Sequence, residues 1–207
     1  MLLRVIIVLA TGYMLGNING AVCISALMHD DVRSHGSGNA GMTNFFRNFG
    51  GKKTLIVALT DFLKAALACS VGYLLLQPYG CALEGALAGG LAVSLGHDFP
   101  ALLGFRGGKG ILCGLATAVV ADWRVAVVIL TVFVVLYAVT KYVSLGSVAA
   151  SATFGIAFCV FHWNEPVVIA LGVIISALAL FMHRSNIVRL IKGTESKVYL
   201  RRKGNRS

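Results

Sequence analysis

Residues 2–27 carry a single charge, Arg4, in an otherwise continuous apolar run. At about 1.5 Å per residue, a helix of that length reaches across the roughly 30 Å hydrocarbon core of a bilayer. Further apolar runs cover about residues 55–76, 81–96, 111–121, 125–140, 146–161 and 167–182. They are continuous rather than alternating, and lipid offers no water to free backbone groups, so they read as helices and not as barrel strands. The expectation is an all-α integral membrane protein, one polytopic domain over residues 1–207 with about seven transmembrane helices. Two runs are ambiguous. Residues 111–121 are short for a crossing, and either extend back toward Gly108 or form a thin helix against their neighbours. Residues 2–27 have a cleaved signal peptide as their alternative, although Arg4 alone is a thin basic lead and the run outlasts an ordinary signal core.

Composition matters mainly for what it excludes. Only 13% of residues are charged, with 57% hydrophobic, whereas a soluble chain is about one quarter charged. The net charge of +10 would suit nucleic acid if it formed one patch. Its distribution says otherwise. If the chain starts outside and crosses at each run, all 18 Lys and Arg except Arg4, Lys64 and Arg124 fall on one side. Such an excess marks the cytoplasmic face, with the N-terminus outside and the C-terminus inside, and no nucleic acid is needed to explain the charge. Cys23, Cys69, Cys81, Cys113 and Cys159 stand singly in apolar surroundings and read as small core residues, neither disulfides nor metal ligands.

The polar interruptions that this topology gathers on the inner face are rich in glycine and hydrogen-bond donors. In Ser34-His35-Gly36-Ser37-Gly38-Asn39-Ala40-Gly41-Met42-Thr43-Asn44, glycines permit sharp turns while hydroxyls and amides surround them. Arg47 follows, able to grip a phosphate through parallel hydrogen bonds. A helix start capped by Thr43 or Asn44 would add a positive dipole end. Both an anion cradle and a flexible connector satisfy this stretch alone. The second interruption runs from Gly96-His97-Asp98-Phe99-Pro100 to Arg106-Gly107-Gly108-Lys109-Gly110. It is no P-loop, since Leu103 and Gly110 stand where that motif needs Gly and Ser or Thr. An anion turn and a plain basic hairpin are its two readings. The third, from His183 to Lys197, places His183 and Asn186 three apart on one side of a helix start.

Charged or polar groups within the runs need partners. Asp61 and Lys64 share a helix face and read as a structural ion pair. Asn17 and Asn19 are expected to face the bundle interior. Together with Glu84, these residues could also line the path of a small transporter of a phosphate ester, the alternative from another functional class. Crowding of donors at one face rather than at mid-membrane argues against it. No H-E-x-x-H spacing, G-x-S-x-G nucleophile or H-x-x-x-x-D acyltransferase motif is present. Neither a metal nor any other cofactor is expected.

Three groups of residues together carry a resemblance. Gly36-Ser37-Gly38-Asn39-x-Gly41-x-Thr43-Asn44 with Arg47, Gly96-His97-x-Phe99-Pro100 with Gly107-Gly108-Lys109-Gly110, and His183-Arg184-x-Asn186-Ile187-x-Arg189-Leu190 with Gly193-Thr194-Glu195 resemble the three motifs of the PlsY family. These are the bacterial acyl-phosphate:glycerol-3-phosphate acyltransferases. Asp61-x-x-Lys64 and Tyr142-Val143-Ser144-Leu145 extend the similarity along nearly the whole chain. One departure is Gly16-Asn17-Ile18-Asn19, where the family usually has G-S-I-P.

The resemblance implies transfer of a fatty acyl group from acyl phosphate to the 1-hydroxyl of sn-glycerol 3-phosphate, the first acylation of phospholipid biosynthesis. It further implies a multi-pass protein of the bacterial plasma (inner) membrane with a cytoplasmic site, and an upstream enzyme forming acyl phosphate as partner. Ser37, Asn39, Thr43, Asn44 and Arg47 are then expected to hold one phosphate. Gly107, Gly108 and Lys109 supply a second cradle or close on the first. His183 and Asn186 position the acceptor hydroxyl, His183 as base or as a direct contact. Ser144 joins the rim with Lys141, His97 fixes a turn, and Glu195 pairs with nearby cations.

Overall fold

The computed structural model describes residues 1–199; the basic residues Arg201, Arg202, Lys203 and Arg206 lie outside them. Ten α-helices follow in order: α1 Leu2–Gly16, α2 Gly20–Ala26, α3 Met42–Phe49, α4 Lys53–Leu76, α5 Ala82–Asp98, α6 Ile111–Ala121, α7 Trp123–Thr140, α8 Val143–Phe161, α9 Pro166–Met182 and α10 Arg184–Ile191. No strand occurs among the described residues. Five segments are long and apolar enough to cross a membrane, namely Leu2–Ala26, Lys53–Tyr79, Ala82–Leu103, α7 and α8. Helix α9 qualifies only with α10, from which it is bent by 58°, and α6 is shorter than a full crossing.

The first crossing is broken where the sequence departs from the family pattern. Asn17 and Asn19 face inward, as expected, and are 5% and 0% exposed. Asn17 closes α1 and Asn19 opens α2: Asn19 Oδ1 accepts from Val22 N at 3.0 Å, capping α2, and its Nδ2 donates to Ala40 O at 2.9 Å. Breaking a helix in a bilayer strands backbone groups. Here Lys64 Nζ donates to the freed carbonyls of Gly16 and Ile18 at 3.2 and 2.5 Å, and Asp61 Oδ1 accepts from Gly20 N at 3.3 Å. The two residues also pair with each other at 3.0 Å. The ion pair therefore answers the break: each charge satisfies backbone groups that the amides alone leave open.

Helices α1, α4 and α5 approach backbone to backbone. A Cβ on Gly72 would stand 1.9 Å from Gly85 O, and one on Gly85 would stand 2.2 Å from Gly72 O. Small residues at such contacts supply the van der Waals packing that holds helices together in lipid, where apolar burial gives little advantage. A second packing unit joins α7, α8 and α9 around Val125, Ile129, Phe154, Phe158, Val168 and Ile175. At the end of the bundle away from the loops around Lys109 and His183, His162 lies 3.0 Å from Asp122 Oδ2 and 2.8 Å from Glu165 Oε1. That cluster clamps the α6–α7 turn to the α8–α9 turn. The outer wall of α7 exposes Val127, Leu130, Val134 and Val135, a surface suited to hydrocarbon and not to water.

Two boundaries differ from the sequence reading. The polar stretch Gly96-His97-Asp98 is not a loop but the last turn of α5, because Lys64 gives the His97 ring a buried partner at 2.8 Å. Helix α6 does not extend back toward Gly108, since Gly110 takes a left-handed conformation, φ +65°, and stops it.

Candidate active site

The loop between α2 and α3 is organised from within by one side chain. Asn44 is 3% exposed, and its Nδ2 donates to the carbonyls of Val32, His35 and Asn39, each at 3.0 Å. Its Oδ1 accepts from Ser37 N at 3.1 Å. This corrects the expected cap: Gly41 is the N-cap of α3, and Asn44, in the first turn, reaches back to hold the loop closed. The fold so produced turns Ser37, Asn39, Thr43 and Arg47 toward a cavity of about 290 Å³.

Hydrogen bonds draw the other two interruptions to the same place. Ala40 N and Asn39 Nδ2 donate to Gly107 O at 3.3 and 3.4 Å. Lys109 Nζ donates to Asn186 Oδ1, and Arg189 Nε donates to Glu195 Oε2 at 2.7 Å. Asn186 Nδ2 reaches the same carboxylate at 3.4 Å, and Arg47 Nη2 donates to Ser196 O at 2.9 Å. The segment after α10 is thus strapped across the mouth, with Val198 N donating to Lys141 O at 2.9 Å.

The cavity has two chemically distinct arms. At its mouth stand Arg47, Lys109 and Arg189, with Ser37, Asn39, Thr43, His183, Asn186 and Ser144 around them. Burial first, then the nearby Arg189 guanidinium, pushes the Lys109 ammonium down to about 8; Arg47 and Arg184 add to the fall and Glu195 opposes it. A bound anion relieves that crowding. The second arm runs between α6, α7, α8 and α9 past Leu112, Leu115, Ile129, Leu130, Phe133 and Phe154. Leu130 is itself 46% exposed on the outer wall, so this arm reaches the apolar surface.

The predicted residues do not all converge. Gly107 and Gly108 lie off the lining, and the Gly108 N–H, a proposed phosphate donor, is already given to His97 O at 3.0 Å. Lys141 is also off the lining, its Nζ donating to Ala138 O at 2.7 Å. Glu195, its side chain buried, pairs with Arg189 at 2.7 Å. Ser144 does line the cavity, and its buried Oγ has no partner among the described residues. Of the residues placed on a transport path, Asn17, Asn19, Lys64 and Glu84 are not on the lining, while Asp61 is. Arg189 was missed, although its spacing was informative: His183, Asn186 and Arg189 recur every third residue and share a helix face.

His183 sits at the 58° bend between α9 and α10. Its Nδ1 is 2.8 Å from Ala179 O. A carbonyl only accepts, so Nδ1 carries the proton and Nε2 is left with a free lone pair. Among the described residues no group of three His, Cys, Asp or Glu has metal-binding geometry.

The sequence matches the family model for glycerol-3-phosphate acyltransferase over residues 6–193. The chain resembles, over 94% of its length, the crystal structure of PlsY in its glycerol 3-phosphate form, an integral membrane glycerol 3-phosphate acyltransferase, with a TM-score of 0.85 and 31% identity; 96% of that chain is covered. The chain belongs to the PlsY family of glycerol-3-phosphate acyltransferases. Among relatives of this acyltransferase, that of Thermoanaerobacter sp. (strain X514) is 39% identical, over 90% of this chain and 91% of its own. The acyltransferase of Bacillus velezensis is 34% identical, over 96% and 98%. A lysophosphatidic acid form of PlsY is also similar, with a TM-score of 0.80 at 30% identity, covering 93% of this chain and 94% of that one.

Proposed function

We propose that this acyltransferase moves a fatty acyl group from an acyl phosphate to the 1-hydroxyl of sn-glycerol 3-phosphate, yielding 1-acylglycerol 3-phosphate (lysophosphatidic acid) and phosphate. One observation carries the reading: a single cavity joins three cations and several neutral donors to an apolar arm that reaches the outer wall. Both substrates bring a phosphate, and one brings a long chain. An acyl phosphate is a mixed anhydride with a good leaving group, so no covalent nucleophile is required. The hydroxyl oxygen adds to the carbonyl carbon, the bond to phosphate breaks, and its electron pair leaves with the phosphate. Alignment and neutralisation of charge supply the acceleration. The hydroxyl proton passes to His183 Nε2 or to a substrate phosphate. The glycerol 3-phosphate and lysophosphatidic acid forms of the similar PlsY structures support this substrate and product.

The same reading includes seven crossings, with α6 and α9 as the short members, in the bacterial plasma membrane. The N-terminus lies outside, and the C-terminus and site face the cytoplasm. Positive charge supports it, since among the described residues Arg4 and Arg124 are the Lys and Arg side chains at the far end of the bundle. An upstream enzyme must form the acyl phosphate. The test is purified protein in detergent with glycerol 3-phosphate and, in parallel, acyl phosphate, acyl-CoA or acyl carrier protein. Phosphate and lysolipid formed together from the first donor are expected; turnover only with a thioester donor overturns the proposal.

A further inference from the structure

We propose that His97 is a further catalytic residue of this acyl transfer: its Nε2–H donates to the acyl oxygen that gains negative charge as the ester forms, and Lys64 and Asp61 hold it in that state. The proposal rests on the reaction proposed above. Its geometry begins at the other ring nitrogen. His97 Nδ1 lies 2.8 Å from Lys64 Nζ. That nitrogen also meets Asp61 Oδ1 at 3.0 Å and the carbonyls of Gly16 and Ile18 at 3.2 and 2.5 Å. An ammonium surrounded by a carboxylate and two carbonyls has donors only. Nδ1 is therefore the acceptor, and the ring proton sits on Nε2. Asp61 Oδ1 stands 3.6 Å from Nδ1, outside hydrogen-bond reach, and serves Lys64 and Gly20 N instead.

The protonated nitrogen is the one left unused. His97 is 4% exposed and lines the cavity, yet among the described residues its Nε2 meets no hydrogen-bond partner. A second observation concerns the space beside it. A Cβ at Gly108 would stand 2.0 Å from Nε2, so any side chain there would cover the donor. A histidine that merely fixed a turn would need neither a set tautomer nor a cleared Nε2. His183, on the same cavity, is set the opposite way, with Nδ1–H given to Ala179 and a bare Nε2. One imidazole thus offers a donor to the developing oxyanion while the other offers an acceptor. His97 gives a hydrogen bond throughout and transfers no proton, so the atom balance of the reaction is unchanged.

The experiment combines variants with a tautomer measurement on full-length protein in detergent. Loss of one oxyanion donor lowers kcat by about 10²–10³, and His97→Ala should fall in that range with KM for glycerol 3-phosphate nearly unchanged. His97→Gln, whose amide N–H reaches the position of Nε2, should recover about tenfold. Equal activity of the Ala and Gln variants, or wild-type kcat in His97→Ala, overturns the proposal. ¹⁵N NMR of histidine-labelled protein, assigned by loss of the signal in His97→Gln, should show Nε2 protonated and Nδ1 bare. The opposite tautomer overturns the proposal even if His97→Ala does not fold. Turnover is assayed with whichever acyl donor the wild type accepts. A wrong donor therefore counts against the proposed reaction, while the tautomer speaks only to His97.

Discussion

Lys109 donates to Asn186 Oδ1 across 77 positions of sequence, and this contact ties the loop before α6 to α10. It also fixes where the ammonium points, toward Arg47 and Arg189 at the cavity mouth. Replacing Lys109 with Met removes a charged hydrogen bond worth about 1.5–3 kcal/mol with each anionic partner. Steady-state kinetics should show kcat/KM for glycerol 3-phosphate reduced by at least about a hundredfold. The melting temperature in detergent should fall modestly, since the bond to Asn186 is lost as well.

Because Lys109 loses its proton at about 8, the cation fades as pH rises through that value. The sign is therefore fixed: the Lys109 contribution to anion binding is present below about 8 and falls away above it, while Arg47 and Arg189 keep their charge. A pH profile of kcat/KM should decline above pH 8 by about tenfold per unit. Lys109→Arg should move that alkaline limb beyond the measurable range, since guanidinium keeps its charge. A limb that stays in place would assign it to another group.

His183→Ala separates the two routes for the hydroxyl proton. General-base catalysis contributes about 10²–10⁴, so a kcat loss of that size is expected if His183 Nε2 takes the proton. A loss of only a few fold assigns it to a substrate phosphate.

Glu195 holds Arg189 and Asn186 from the strap that follows α10. Glu195→Ala should lower stability by about 1–3 kcal/mol, read as reduced thermal stability in detergent. It should also raise KM for glycerol 3-phosphate, because both partners line the cavity.

That the apolar runs form helices was legible in the sequence because bilayer length acts on whole segments. Particular ends were not. His97 and Asp98 look like loop residues by polarity, yet they are helical, since the partner that tolerates His97 is Lys64 on another helix. Asn44 looked like a cap, but its carboxamide reaches carbonyls that are near only once the loop has closed. The glycines were legible as special and their purpose was not: Gly108 was read as a phosphate donor, while its position clears space beside His97.

Packing between α4 and α5 gives a further test. A methyl at Gly85 would stand 2.2 Å from Gly72 O, a backbone atom with little freedom to yield. Overpacking of this kind costs about 1–3 kcal/mol or more. Gly85→Ala should lower the melting temperature in detergent, whereas Gly80→Ala, with nothing within 4 Å, should show only the strain of its left-handed backbone.

The apolar arm of the cavity passes Leu130, a residue exposed on the outer wall, while the cationic mouth takes a water-soluble ester. The two substrates then arrive from phases of different dimension, one counted per volume and the other per area of bilayer. Apparent affinity for the acyl donor should therefore follow its mole fraction in the detergent or lipid phase, and adding inert lipid at constant bulk donor should slow turnover by surface dilution. On the proposed reaction, a lysolipid held by the same arm would leave laterally and need never enter water.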